Sequence, residues 1–496
     1  MVSRLRHHGA TIWTKRTCNM SKHTCLVTII LLAAAPAFAQ TPEPAPADPA
    51  EGTPKTPEPA PATPPAPAPT PAEKPPETKP QAPAVVGKWD TTLYGVVELD
   101  TIWDSTQGLN DLAGNAGIAR PNTYTGDHGQ TTMGARNSRL GFKLAAPTYN
   151  SIKATAQLEM DFLGNQPAPL SEAAFFQNPT FRFRHYNLKL ETPIVDVLMG
   201  QYWQLFGWQS MYHPNTVNIQ GVPGQVYSRA PQIRISKKVV AGDLSIEFAV
   251  AAARPPQRAS STPDGHLGIK LNYDKLKAFH TAGGSGSSLD SASLGVSAVG
   301  RRFAVNEFSA NPTSQVVRDG YGLSIDALIP ILPATKDHRE NALTLTGDFV
   351  TGAGIADLYT GLTGGVAQPS LPNPTMVNPA PTYTPNVDNG LVMFSADGTL
   401  HPVQWTSYMV GAQYYLPPSG KVWLSANYSH MSSSNAHSFG AAQKVWDKSN
   451  WADGNLFVDV TPAVRLGLEF AWFNQTYVDN TDATNYRVQM SGFLLF

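Results

Sequence analysis

The side chains that could do chemistry in this sequence are charges placed at alternate positions. Basic residues crowd one region: Arg136, Arg139, Lys143 and Lys153, then Arg182, Arg184 and Lys189, then Arg229, Arg234 and Lys238. Glu98, Asp100, Glu159 and Asp161 fall in the same region. Cationic groups ranked along one wall select ions by electrostatics at close quarters. The same groups matched to Glu159, Asp161 and Glu98 would instead be structural ion pairs, and the sequence leaves both readings open. The stretch from Gly207 to Pro231 gathers Trp208, Tyr212, His213, Tyr227 and Arg229 without a single acidic residue. Wherever such a stretch lined a path, its aromatic and amide content with Arg229 would favour neutral or anionic solutes over cations. Covalent catalysis is a poor fit. It would need a Ser or Asp nucleophile within reach of a His, and His128, His213, His266, His280, His338, His401, His430 and His437 sit in no nucleophile or zinc motif. No catalytic residue, metal or cofactor is expected, and the chain is not read as an enzyme.

Strands must position these charges. From Ile152 to Phe162, Ile152, Ala154, Ala156, Leu158, Met160 and Phe162 alternate with Lys153, Thr155, Gln157, Glu159 and Asp161, which is the period of a β-strand. Burying unpaired charges costs several kcal/mol each, so the polar face looks onto water and the apolar face onto lipid or a second sheet. The first such segment is Thr92 to Asp104, and the last runs from Tyr486 to Phe496, with Tyr486, Val488, Met490, Gly492, Leu494 and Phe496 against Arg487, Gln489 and Ser491. Counting every segment of this kind gives sixteen, and an even number returns both ends to one side of a closed antiparallel barrel. Short turn-forming links such as Thr192 to Asp196 and Pro417 to Gly420 alternate with long ones such as Ser105 to Ala135 and Gly352 to Pro402.

The fold class read from this is all-β: a transmembrane antiparallel β-barrel of about 16 strands over residues 89–496. In lipid every backbone N–H and C=O must pair within the protein, and for strands only an edgeless sheet does so. Trp103, Tyr273, Tyr321, Tyr414, Tyr415, Trp472 and Tyr486 are candidates for interfacial aromatic girdles. Parity sends Arg139, Lys143, Lys153, Arg234 and Lys238 inward with Glu159 and Asp161. It puts Arg182 and Arg184 on the face of Leu188 and Leu190, toward lipid, so either they lie beyond the apolar band or a bulge reverses the strand there.

The N-terminus sets the compartment. Lys22 and His23 precede an apolar run from Leu26 to Ala35, and Ala37, Phe38 and Ala39 supply a cleavage site, so residues 1–39 read as a signal peptide, with Met20 as an alternative start. Both cysteines, Cys18 and Cys25, fall inside that leader. The mature chain is then expected to lack thiols and disulfides. Residues 40–88 form a Pro/Ala-rich segment, with 17 prolines among the 44 residues from Thr41 to Ala84 and TPEPAPA beginning at both Thr41 and Thr56. Such composition builds no core and is expected to stay disordered and extended, reaching at most roughly 130 Å into the periplasm, where contact with the cell wall is an option. Lys+Arg 36 against Asp+Glu 37 leaves no global excess to attract nucleic acid.

Several motifs then look familiar. Ala135 to Lys143, ARNSRLGFK, resembles the start of the second strand of Gram-negative porins. FRFRHYNLKL from Phe181, followed by Gly200 to Phe206, resembles the fourth and fifth strands of DcaP-like porins, as does YGVVELD from Tyr94. Asn187, and a Pro-rich arm where that family often carries a helical region, depart from the pattern. The terminal residues Phe496, Leu494 and Met490 resemble the signal by which the barrel-assembly machinery recognises outer-membrane barrels. The resemblance implies a homotrimer of sixteen-stranded barrels in outer-membrane lipid, passing small hydrophilic, often anionic solutes, with the third long loop folded inward. An outer-membrane anchor or adhesin that grips the wall through the Pro-rich arm is the alternative, and a hydrolase a weaker one.

Overall fold

The computed structural model describes residues 88–496 except 110, 112–116, 165–179, 214, 218–221, 256–259, 261, 282–285, 308–310, 337, 360–390, 396–397 and 440–445. The leader and the Pro-rich arm lie outside the described residues. Sixteen strands alternate along the chain. They are β1 (Asp90–Asp104), β2 in two pieces (Gln130–Gly134 and Arg139–Ala145), β3 (Lys153–Asp161), β4 (Arg182–Glu191), β5 (Asp196–Trp203), β6 (Arg229–Ala241), β7 (Leu244–Ala253) and β8 (Asp264–Thr281). There follow β9 (Ser287–Asn306), β10 (Gln315–Leu332), β11 (Leu343–Ala353), β12 (Gln404–Tyr415), β13 (Val422–Ser432), β14 (Trp446–Asp459), β15 (Val464–Tyr477) and β16 (Asp482–Leu495).

Each strand pairs antiparallel with its sequence neighbours. The sheet closes where β1 meets β16, from Val96 opposite Leu495 to Asp104 opposite Arg487. Both pieces of β2 lie against β1, at Asp100–Asp104 and at Asp90–Val96. Phe496 completes the seam, exchanging backbone hydrogen bonds of 2.9 and 3.1 Å with Gly95. No edge is left in the ring, so no row of backbone donors is open to another chain.

Alternation fixes the two faces. On β1 Leu99 is 57% exposed outside while its neighbour Glu98 is fully buried inside. On β16 Met490 and Leu494 point outward, whereas Arg487, Gln489 and Ser491 are buried within. Large apolar side chains are exposed around the outer face, for example Leu93, Ile233, Leu267, Leu323, Val410, Leu466 and Phe470. A continuous apolar exterior of this kind belongs against hydrocarbon.

The inner face differs from an evenly charged wall. Trp405, Trp423, Trp446, Trp451, Phe457 and Phe473 all point inward on β12–β15 and are essentially inaccessible. They pack with chain that enters the barrel: Leu109 and Ile118 from the β1–β2 loop, Phe206, Val222 and Val226 from the β5–β6 loop, and Ile355, Leu358, Tyr359 and Leu400 from the β11–β12 loop. Apolar inserts need apolar partners, so aromatic rings interrupt the polar inner face of this part of the wall. Tyr415 belongs to this inner packing, fully buried against Trp423, and is no part of an outer girdle. Tyr273, Tyr321 and Tyr486 do face outward. Strands β8 to β10 run well past their alternating centres, and the ten-residue β10–β11 link, 333–342, exceeds the eight-residue β9–β10 loop, 307–314.

Candidate functional site

The β5–β6 loop, residues 204–228, crosses the interior. Gly207 N donates to Ser297 Oγ at 2.7 Å, Trp208 Nε1 to the Val296 carbonyl at 3.3 Å and Tyr212 OH to Ser293 Oγ at 3.0 Å, which fastens the loop to β9. A Cβ at Gly268 or Gly295 would stand 2.8 Å from the Trp208 indole, so glycine on the facing wall is what lets that ring seat. The loop then reaches the far side. Val217 N donates to Asn455 Oδ1 at 2.9 Å, and Asn427 Nδ2 to the Asn215 carbonyl at 3.1 Å. It returns past Leu358, whose carbonyl accepts from Tyr227 N at 2.8 Å.

At the root of this loop the basic residues of β2, β4 and β6 converge. A register break between Glu159 and Met160 leaves Arg184 unmatched on β4. Phe183 consequently points out and Arg184 points in, together with His185. The bulge is what reverses parity, and it brings Arg182 and Arg184 onto the inner wall. Arg184 Nε lies 2.7 Å from Glu159 Oε1, and its Nη1 lies 3.3 Å from Asp161 Oδ2. Arg182 Nη2 is 2.6 Å from Asp161, and Arg139 Nε is 3.7 Å from Glu159. Tyr94 OH closes the network by donating to Glu159 Oε2 at 3.0 Å.

Arg229 is held differently. Its guanidinium lies over the Trp203 ring at 4.8 Å and over Tyr227 at 5.5 Å, with no carboxylate partner among the described residues. Four guanidiniums, those of Arg139, Arg182, Arg184 and Arg229, thus surround two carboxylates, a formal surplus of two positive charges. Two of these charges are neutralised in ion pairs with Glu159 and Asp161, and a positive excess remains.

Aromatic rings frame this excess. Trp203 contacts Tyr227 at 4.7 Å and His213 at 4.9 Å between ring centroids. Burial, the neighbouring His280 and the arginines pull the His213 imidazole down to about 3, so it is neutral. For Tyr227, burial opposes ionisation of the phenol, but Arg184, Arg229 and Arg139 outweigh it and bring the group down to about 8.

The remaining basic residues are spread more widely. A cavity of about 460 Å³ is lined by the inner faces of β1–β7. Lys143, Lys189 and Arg234 line it, balanced by Asp90, Asp196 and Glu247. Lys143 lies over the Tyr94 ring at 4.9 Å, while Arg234 donates to the Trp203 carbonyl at 2.5 Å. Lys153 and Lys238 are exposed toward the short-turn ends of β3 and β6. Arg136 falls in the break within β2 and pairs with Asp111 of the β1–β2 loop at 3.0 Å. The convergent group is therefore Arg139, Glu159, Asp161, Arg182, Arg184 and Arg229, with Tyr227, His213 and Trp203. Trp208 and Tyr212 anchor the loop instead of lining this group.

Carboxylates gather on the other wall. Asp326 and Asp348 stand directly opposite each other on β10 and β11, and both are buried. Asp453 on β14 accepts from Trp451 Nε1 at 2.6 Å and Asn427 Nδ2 at 2.8 Å. Asp100, by contrast, lies on β1 next to the arginine-bearing β2, and accepts from Asn137 Nδ2 at 2.8 Å and Gln489 Nε2 at 3.1 Å. Strand alternation by itself turns Asp100, Asp326 and Asp348 inward, but nothing in the sequence says that inserted loops cover them. The acid that faces the arginines across the interior is thus on the strands, while the inserted loop carries none.

No protein-family model matches the chain, and no curated protein matches it in sequence. Among solved structures it is similar to the outer membrane channel DcaP of Acinetobacter baumannii, with a TM-score of 0.57 at 17% identity over 82% of this chain and 97% of that one. The chain has the porin fold. An anion-selective porin from Comamonas acidovorans aligns at 12% identity over 82% of this chain and 100% of that one, with a TM-score of 0.45. Within the porin fold, sixteen closed strands carry the arginine cluster on β2–β6 and hang the β5–β6 loop in front of it.

Proposed function

We propose that this protein is an outer-membrane porin: a channel for passive diffusion of small hydrophilic solutes that favours anions, including carboxylates. One observation supports it above the others. Inside a closed barrel with an apolar exterior, a surplus of guanidinium charge sits at the root of an inserted loop that has no acidic residue. A fixed positive field on a narrow path lowers the free energy of anions there and raises that of cations. The same reading puts the short turns and the N-terminal arm in the periplasm, with the long loops outside. It also takes residues 1–39 as a removed leader, the terminal strand as the part engaged by the assembly machinery, and a homotrimer as the assembled form.

Liposome swelling with solutes of equal size and opposite charge tests the reading. Vesicles carrying the protein should admit a small monocarboxylate faster than an ammonium compound of the same size. Equal rates would remove the anion preference, and rates equal to protein-free vesicles would remove the channel.

A pH dependence follows from Tyr227. The phenol is neutral below about 8 and becomes an anion above it, cancelling one of the surplus positive charges. Anion preference is expected to decline between pH 7 and 9 in the native protein and to decline less over that range in Tyr227→Phe. Identical pH profiles for the two proteins would rule out this role.

A further inference from the structure

The link between β8 and β9 joins two strands on the short-turn side, yet it does not stay at the rim. Pairing breaks at Ser291 and Ala292, which lie opposite Lys277 and Tyr273, so residues 274–276 are unmatched. Lys277 Nζ staples this bend, reaching Asp274 Oδ1 at 2.8 Å and Ser291 Oγ at 2.9 Å. Beyond the bend the hairpin runs inside the barrel beneath β10. Thr344 Oγ1 on β11 donates to the Phe279 carbonyl at 3.0 Å. Gln413 on β12 clamps Thr281, accepting from its N–H at 3.2 Å and donating to its carbonyl at 3.1 Å. A connection that starts between β8 and β9 is therefore tied to the inner faces of strands three and four places away.

It also meets the other insert. His280 Nε2 lies 2.9 Å from the His213 carbonyl of the β5–β6 loop, so the two segments touch within the barrel. At the far end of the hairpin, Gly286 lines two cavities of about 400 and 430 Å³. One of them also touches Arg139 and Glu159 of the arginine cluster. A Cβ built on Gly286 finds no atom within 4 Å, so this position faces open space.

We propose that the inward hairpin formed by Asp274–Thr281 and Gly286–Ser291 is a second constriction, in series with the β5–β6 loop and entered from the short-turn side. It rests on the channel reading above. Two inserts that approach from opposite mouths and touch at His280 and His213 narrow the path in succession. The hairpin then contributes to the size limit on solutes, while the arginine cluster supplies the charge preference.

Gly286→Cys supplies the test, because a side chain there enters space the structure leaves open. Single-channel current is recorded before and after coupling a bulky, uncharged thiol reagent, with modification checked by mass. Thr148→Cys on the short β2–β3 link is the control, and the native protein exposed to reagent accounts for Cys18 and Cys25 if the leader is retained. Modified Gly286→Cys is expected to lose at least about half its current, with the control unchanged. As a second arm, the double variant Thr344→Ala and Gln413→Ala, which frees the hairpin from β11 and β12, is expected to show raised or noisier current. A native protein that conducts, together with fully modified Gly286→Cys at undiminished current, would overturn the constriction alone. A silent native barrel would overturn the channel reading and the constriction with it.

Discussion

Replacing Arg139 and Arg229 together by alanine is expected to move the reversal potential in a salt gradient toward cation preference. The two residues contribute in different ways. Arg229 stacks on aromatic rings and makes no ion pair among the described residues, so its removal subtracts from the positive surplus. Arg139 sits at 3.7 Å from Glu159, a looser contact than the 2.7 Å made by Arg184, so its loss leaves Glu159 still paired. One unit charge about 4 Å from a permeating ion in a water-like dielectric is worth roughly 1 kcal/mol, about fivefold in relative permeability. The double variant should therefore shift the anion-to-cation ratio by about fivefold or more, and the effect should weaken at high salt as screening grows. An unchanged reversal potential would take these arginines out of the selectivity mechanism.

Arg184→Ala is expected to act on stability more than on selectivity. The guanidinium is 1% exposed and touches both Glu159 and Asp161, which are themselves buried. Taking away the cation leaves carboxylates facing each other with less compensation, a change that costs about 3–5 kcal/mol when a buried pair is broken from one side. The midpoint of denaturant unfolding in vesicles should fall accordingly. Arg184→Lys, which keeps a positive charge beside both carboxylates, should lose less. If Arg184→Ala unfolds at the native midpoint, the Arg184 ion pairs do not stabilise this wall. Tyr227 gives a further check, since its hydroxyl lies 3.4 Å from Arg184 Nη2 and its pH response should change in the same variant.

Much of the barrel was legible because period-two alternation survives wherever one face is apolar and the other is charged. The segments centred on Leu99, Leu158, Leu267, Leu323 and Met490 show it, and each lies on a strand with those residues outward or nearest the outer face. Parity also exposed its own exception. Arg182 and Arg184 fell on the wrong face for their neighbours, and a single unmatched residue in β4 accounts for that. The charges were therefore placed more securely than their partners, because which arginine meets which carboxylate depends on register and strand order that no local pattern encodes.

The interior was less legible. On β13 and β14 aromatic rings interrupt a mostly polar inner face: Leu424 and Leu456 point out while Trp423 and Phe457 stack inside at 3.9 Å. Alternation still separates the faces there, but only the inserted loops reveal what the inner rings pack against. The β8–β9 hairpin escaped for a related reason. Lys275, Leu276, Lys277, Ala278 and Phe279 break the alternation that ends near Tyr273, and a broken pattern reads as a strand's end when the chain has in fact turned inward.

Single-channel recording of the native protein across a tenfold salt gradient addresses the central claim, that an open path runs through the closed barrel past a net positive wall. Steady current steps whose reversal potential lies on the anion side are the result expected from the geometry. A membrane that stays silent, or a reversal potential on the cation side, would contradict it.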